Sequence, residues 1–152
     1  MISPKAIEII KELEGFSALE YTCVAGNRTI GYGHVIKPGE SFVCGLSEKK
    51  AEELLLSDLN YFETALNDLV KVPLEQYQKD ALLSFIFNIG VYAFGHSTLL
   101  KELNAGCYDQ VSVQMRRWVY VNGKFCSGLM RRRQTEIAIF ENKKRKKKAC
   151  SL

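Results

Sequence analysis

The stretch "ELEGFSALEYTCVAGNRTIGYGH", Glu12 to His34, sets a carboxylate at Glu14, a thiol at Cys23 and a hydroxyl at Thr29 within a run rich in glycine and aromatics. Cleaving a glycosidic bond ordinarily takes two carboxylates: one protonates the leaving group and the other acts on the opposite face of the sugar. Here no aspartate lies between Glu14 and Thr29. Either the chain is an enzyme with an unusual second member, or the stretch is a hairpin carrying packing residues.

Each residue admits both descriptions. Glu14 falls in the final turn of a helix, at the edge of its apolar stripe. Partial desolvation and the negative end of a helix dipole both favour a protonated carboxyl, which a general acid needs. A solvated glutamate ahead of a glycine stop is the ordinary alternative. Cys23 and Thr29 depend on the hairpin. With Ala25-Gly26-Asn27 as the loop, Cys23 opposes Thr29 and the two share a face; a two-residue Gly26-Asn27 loop puts them on opposite faces. Taken alone, they also fit simple packing. The glycines of "TIGYGH" let backbone or ligand approach closely, and His34 suits a structural histidine as well as a base. Glu20 reads as a solvated carboxylate.

Several elements must position these groups. Ser3 can cap an opening helix with Pro4 at its first position, Ala6, Ile9, Ile10 and Leu13 form its apolar stripe, and Gly15 stops it. Tyr21 to Cys44 reads as a small antiparallel sheet, with turns at Gly26-Asn27 and "KPGE". Ser47 opens a long amphipathic helix of about 20 residues that Pro73 ends. From there the chain reads as helical throughout, with a buried central helix in "LEQYQKDALLSFIFNIG". The expected class is α+β: a small N-terminal sheet lobe and a larger helical lobe joined by the long helix, with a cleft between them.

Composition agrees with one domain of 152 residues, 47% hydrophobic and 25% charged. The net charge of +4 resides in "KKRKKK", Lys143 to Lys148. Without those six, 15 basic residues face 17 acidic ones, so the body is near −2. The expected division is a catalytic domain over 1–142 and a basic, disordered tail over 143–152, with a polyanion-binding arm as the alternative for the tail. No apolar run reaches the length of a membrane span, and the N-terminal pattern does not fit a signal peptide. Five cysteines without a C-x-x-C pair, and two distant histidines, argue against a structural zinc site. They read as free thiols, mostly buried, in a reducing compartment, with the pairing of Cys150 open.

Glu14, Cys23 and Thr29, spaced by eight and five residues within E-G-x-x-x-x-x-Y-x-C-x-x-G-x-x-T-I-G-Y-G-H, closely resemble the phage-type lysozymes, endolysins of glycoside hydrolase family 24. "SFIFNIG", "STLLKELNAG", Trp118 and "GLMRRRQTE" resemble that family's later blocks, in order, so the likeness runs over about residues 5–142. The resemblance implies a lysozyme-like fold and hydrolysis of the β-1,4 bond between N-acetylmuramic acid and N-acetylglucosamine in peptidoglycan, without a cofactor or metal. It makes Glu14 the general acid, Cys23 the second catalytic position (aspartate in many members) and Thr29 a holder of the attacking water. It makes His34 structural, places Val35, Phe87 and Ser97 at or near the sugar chain, and sets Arg132 and Arg133 close to the catalytic glutamate. A thiol can position water, or as thiolate act as base or nucleophile; an inverting reaction with Cys23 in a positioning role is the expectation. A monomer, held in the cytoplasm until a holin-like membrane permeabiliser releases it onto the wall, follows by analogy. The alternatives are a catalytically silent peptidoglycan-binding module, a nucleic-acid binder acting through the tail, and a lytic transglycosylase.

Overall fold

The computed structural model describes residues 1–143. The basic run past Lys143 and Cys150, with the expectations attached to them, lies outside the described residues. The chain divides into two compact units, Ile2–Tyr61 and, together with Met1, the chain from Phe62 onward.

In the first unit, α1 (Pro4–Glu14) begins as its sequence dictates: the Ser3 hydroxyl accepts from the Ala6 N–H at 3.0 Å. It ends where Gly15 donates its N–H to the Lys11 carbonyl at 2.9 Å. The sheet that follows is antiparallel, in the order β1 (Ser17–Thr22), β2 (Arg28–Gly31), β3 (His34–Val35). The helix α2 (Glu48–Leu69) starts after Ser47, whose hydroxyl accepts from the Lys50 N–H at 3.2 Å, and runs through the boundary at Tyr61. Lys11 ties these elements together. It pairs with Glu52 of α2, and its ammonium stands 5.1 Å over the Tyr32 ring, while the Tyr32 hydroxyl donates to Glu48 at 3.1 Å.

His34 is a structural cross-link within this unit. Its Nδ1 lies 2.7 Å from Asp58 of α2 and its Nε2 lies 3.0 Å from Glu40 in the following loop, with the ring 3% exposed. The hydrogen bond to Asp58, reinforced by Glu40, holds its pKa above the ordinary histidine value against the opposing effect of burial. A raised folded pKa means the stabilisation is complete below the unfolded value near 6.5 and is lost as pH rises through the folded one. The expected result is that His34→Gln costs about 2 kcal/mol at pH 6 and clearly less at pH 9. Urea midpoints of both proteins at the two pH values check this. An equal cost at both would leave the histidine uncharged in its role.

The second unit is mainly helical: α3 (Gln76–Ile89), α4 (Val91–Gly95), α5 (Thr98–Asn104), α6 (Asp109–Met115) and α7 (Ser127–Phe140). As the all-round apolar pattern predicts, α3 is the central helix, with Asp80 to Ile86 buried. It packs along α7. Phe85 meets Phe94 and Trp118 edge-on, at centroid distances of 6.3 and 5.9 Å. α2 ends at Leu69, short of Pro73. The Asn104 side chain takes up the exit, donating to the Leu69 carbonyl at 2.9 Å and accepting from the Lys71 N–H at 2.8 Å.

Two expectations need correction. The later chain is not helical throughout: β4 (Tyr120–Val121) and β5 (Lys124–Phe125) form a hairpin around Asn122-Gly123. Both turn residues take positive φ, +50° and +77°, as this dipeptide favours. The described cysteines are free, as expected, but none is fully buried; Cys44 is exposed and Cys23, Cys107 and Cys126 are half-buried. Glu20 is exposed, as expected, and its carboxylate takes a forked pair of hydrogen bonds from Arg28 across the hairpin, one at 2.9 Å.

Candidate functional site

Glu14 is delivered by the last turn of α1 onto the turn between β2 and β3. A Cβ built on Gly33 would stand 2.6 Å from Glu14 Oε2 and 2.9 Å from its Cδ, and Gly33 has φ +73°. Only glycine allows both the conformation and the approach. The close approach expected of the "GYG" glycines is therefore made by the candidate acid itself.

The hairpin departs from both registers considered. Thr22 pairs with Arg28 and Tyr21 with Thr29. Cys23 then faces Asn27, donating its N–H to the Asn27 carbonyl at 2.9 Å, and Gly26 (φ +90°) donates to the Cys23 carbonyl at 2.8 Å. The connection is Val24-Ala25-Gly26, a three-residue loop closed by a glycine in the left-handed region. The shift from the register with Ala25-Gly26-Asn27 as loop is two residues, so strand parity survives and Cys23 sits diagonally from Thr29 on the same face. Val35 of β3 pairs with Thr29 from the other side. Thr29 is 3% exposed between two exposed neighbours, Tyr21 and Val35, and donates its hydroxyl to the Asn27 carbonyl at 3.0 Å.

This loop changes the thiol. Burial pushes the Cys23 pKa up, but the backbone N–H groups of Asn27, Ala25 and Gly26 and the Thr29 hydroxyl outweigh it and hold it below the ordinary value. The same backbone dipoles would favour a carboxylate at this position. Tyr21, across from Thr29, feels Glu14 and Cys23 through space; burial first, then those two charges, raise its phenol. Glu14, Tyr21, Cys23 and Thr29 form one cluster, in which Tyr21 was not singled out from the sequence. Its place at i−2 from Cys23 on a strand was the available signal.

The remaining candidates belong to the helical unit. Phe87 is half-buried and meets Phe62 edge-on at 5.2 Å. Ser97 caps α5, accepting from the Leu100 N–H at 3.1 Å and donating to the Phe94 carbonyl at 2.6 Å. It also lines a cavity of about 450 Å³ with His96, Gln114, Arg117 and Trp118. Arg132 and Arg133 are buried, with Glu136 beside them. Arg132 Nε lies 3.1 Å from Glu136 Oε1, Arg133 Nε lies 3.2 Å from Oε2, and the Ser84 hydroxyl donates to Oε1 at 2.8 Å. Nothing in the residue pattern marks Glu136 as buried, because a lone glutamate among arginines on a helix looks like a solvated face. Among the described residues no group of three or more histidine, cysteine or acidic side chains could hold a metal ion.

The chain matches the family described as "Phage lysozyme" over residues 11–136. It is 43% identical over 145 residues to an endolysin of Acyrthosiphon pisum secondary endosymbiont phage 1, covering 93% of this chain and 98% of that protein. It is 41% identical over 142 residues to the endolysin of Salmonella phage P22, covering 91% and 97% respectively. Among solved structures, the muramidase domain of SpmX from Asticaccaulis excentricus superposes with a TM-score of 0.81 at 37% identity, covering 92% of this chain and 97% of that one.

Proposed function

From the premise that the chain belongs to the phage lysozyme family, we propose that Glu14, Cys23 and Thr29 carry out a water-attack hydrolysis of the β-1,4 bond between N-acetylmuramic acid and N-acetylglucosamine. The protein is a glycoside hydrolase of the lysozyme type, acting on bacterial peptidoglycan. Glu14 gives its proton to the leaving oxygen as the glycosidic bond breaks. A water held at Cys23 and Thr29 forms the new bond to the anomeric carbon from the opposite face, inverting it, and passes a proton to the Cys23 sulfur. Solvent exchange then restores both groups. Val35, beside Thr29, with Phe87 and Ser97, are the candidate contacts to the sugar chain.

The observation that carries this reading is the thiol's setting. A cysteine in a plain strand is mostly neutral near pH 7. One whose pKa is lowered by the N–H groups of its own loop is a better acceptor for a hydrogen bond from water. This supports a positioning role for Cys23, while membership of the phage lysozyme family favours the enzyme over a silent binding module. The test is release of reducing ends from purified peptidoglycan. Native protein should release them with inverted configuration and no anhydro-sugar. Cys23→Ala should lose about 100-fold or more, whereas Cys23→Asp should stay within about tenfold of native. A thousandfold loss in Cys23→Asp, or a native rate in Cys23→Ala, would remove Cys23 from the role assigned here.

Access to the wall is a separate matter. No helix among the described residues is long and apolar enough to cross a membrane. We assign release from the cytoplasm of the producing cell to a separate, holin-like permeabilising partner, on family analogy. The catalytic body is assigned to residues 1–142, with the remaining residues as an appended basic segment.

A further inference from the structure

Hydrogen-bond accounting at the water site leaves one contact unfilled. Thr29 has a single hydroxyl proton, and it is claimed by the Asn27 carbonyl or the Cys23 sulfur. What Thr29 offers a water is therefore a lone pair. In the reading above the Cys23 sulfur takes the water's proton, so it is likewise an acceptor. A water between them gives away both protons and keeps two lone pairs. One must face the anomeric carbon, and the other needs a donor if the water is to be held in one orientation.

We propose that Tyr21 is that donor, a positioning residue whose hydroxyl fixes the attacking water from the β1 side of the face it shares with Cys23 and Thr29. Three observations support it. Tyr21 is the cross-strand partner of Thr29, and Cys23 follows two residues later on the same strand face. Tyr21 is 37% exposed while its partner Thr29 is 3% exposed, so the tyrosine is the member of the pair that solvent reaches. Burial and the neighbouring Glu14 and Cys23 keep its phenol protonated, hence a donor, throughout the neutral range. An aliphatic residue at 21 would cover Thr29 equally well but leave the second lone pair unmatched. Because Tyr21 acts through the water and not on the sugar, its loss should slow turnover and leave substrate affinity alone.

This rests on the water-attack reading above, and the experiment separates the two. Turnover of solubilised glycan strands is measured for native protein, Tyr21→Phe, Cys23→Ala and the double variant. Tyr21→Phe should lower kcat about tenfold, keep KM within about twofold and leave the melting temperature unchanged, since it removes one hydroxyl and no packing volume. In the Cys23→Ala background the same change should cost less than about twofold, because the water it orients is no longer held. An unchanged kcat in Tyr21→Phe overturns the inference. So does a loss carried by KM, which would make Tyr21 a sugar contact, or an equal loss in both backgrounds. A native rate in Cys23→Ala overturns the parent reading and this one with it.

Discussion

Glu14→Gln lowers kcat on peptidoglycan by about 10²–10⁴-fold, the span that removal of a general acid commands, with KM nearly unchanged. The amide has the shape of the carboxyl, so it still fits against Gly33, where an added Cβ would lie 2.6 Å from Oε2. It cannot supply a proton to the leaving oxygen. The fold should not suffer. The amide keeps the shape and volume of the carboxyl at the end of α1, so no packing is lost. Lost activity at an equal melting temperature is the signature of a group kept for chemistry. Reducing-end release and thermal unfolding, measured on the same preparation, decide it. A variant that keeps a tenth of native activity would take the acid role from Glu14. One that still sediments with the wall while inactive would separate catalysis from binding.

The largest effect on stability should come from Glu136→Ala. The Glu136 carboxylate is fully buried, and it faces Arg132, which is 6% exposed, and Arg133, which is 1% exposed. Arg132 also donates to the Ser84 carbonyl at 3.0 Å, and the Arg133 guanidinium lies 4.9 Å over the Phe85 ring, in contact with the Asn88 side chain. Removing the carboxylate leaves two guanidiniums in the interior with their charge uncompensated, and breaking a buried pair in this way costs about 3–5 kcal/mol. For a chain of this size that lowers Tm by roughly 10 °C or more. Glu20→Ala, which breaks the exposed pair with Arg28, should leave Tm little changed. Calorimetry of the two variants side by side tests the contrast, and similar shifts would mean that water already reaches Glu136.

What the sequence determined by itself was local or was encoded in the spacing of residue types. Ser3, Pro4 and Gly15 bound α1 because capping groups lie within a few residues of the backbone they satisfy. The eight- and five-residue intervals from Glu14 to Cys23 and Thr29 carried the family, since they count residues along one helix end and one hairpin. Asn122-Gly123 marked a hairpin too, but two-residue strands are too short to show a period, so β4 and β5 were absorbed into a helical reading.

The remainder depends on loop geometry and on contacts between elements far apart in the chain. The three-residue loop fixed the register and gathered N–H groups around Cys23, an outcome set by small differences between turn geometries. Gly33 acquires its meaning only when α1 lies against the turn between β2 and β3. The charges of Arg132, Arg133 and Glu136 look solvated one by one and are interior together. Composition and periodicity record what each residue prefers in water or in an isolated element. A thiol held below its ordinary pKa, a carboxyl against a glycine and a buried ion cluster exist only through partners brought together by folding, and there the energies depend on distances between atoms that the order of residues does not contain.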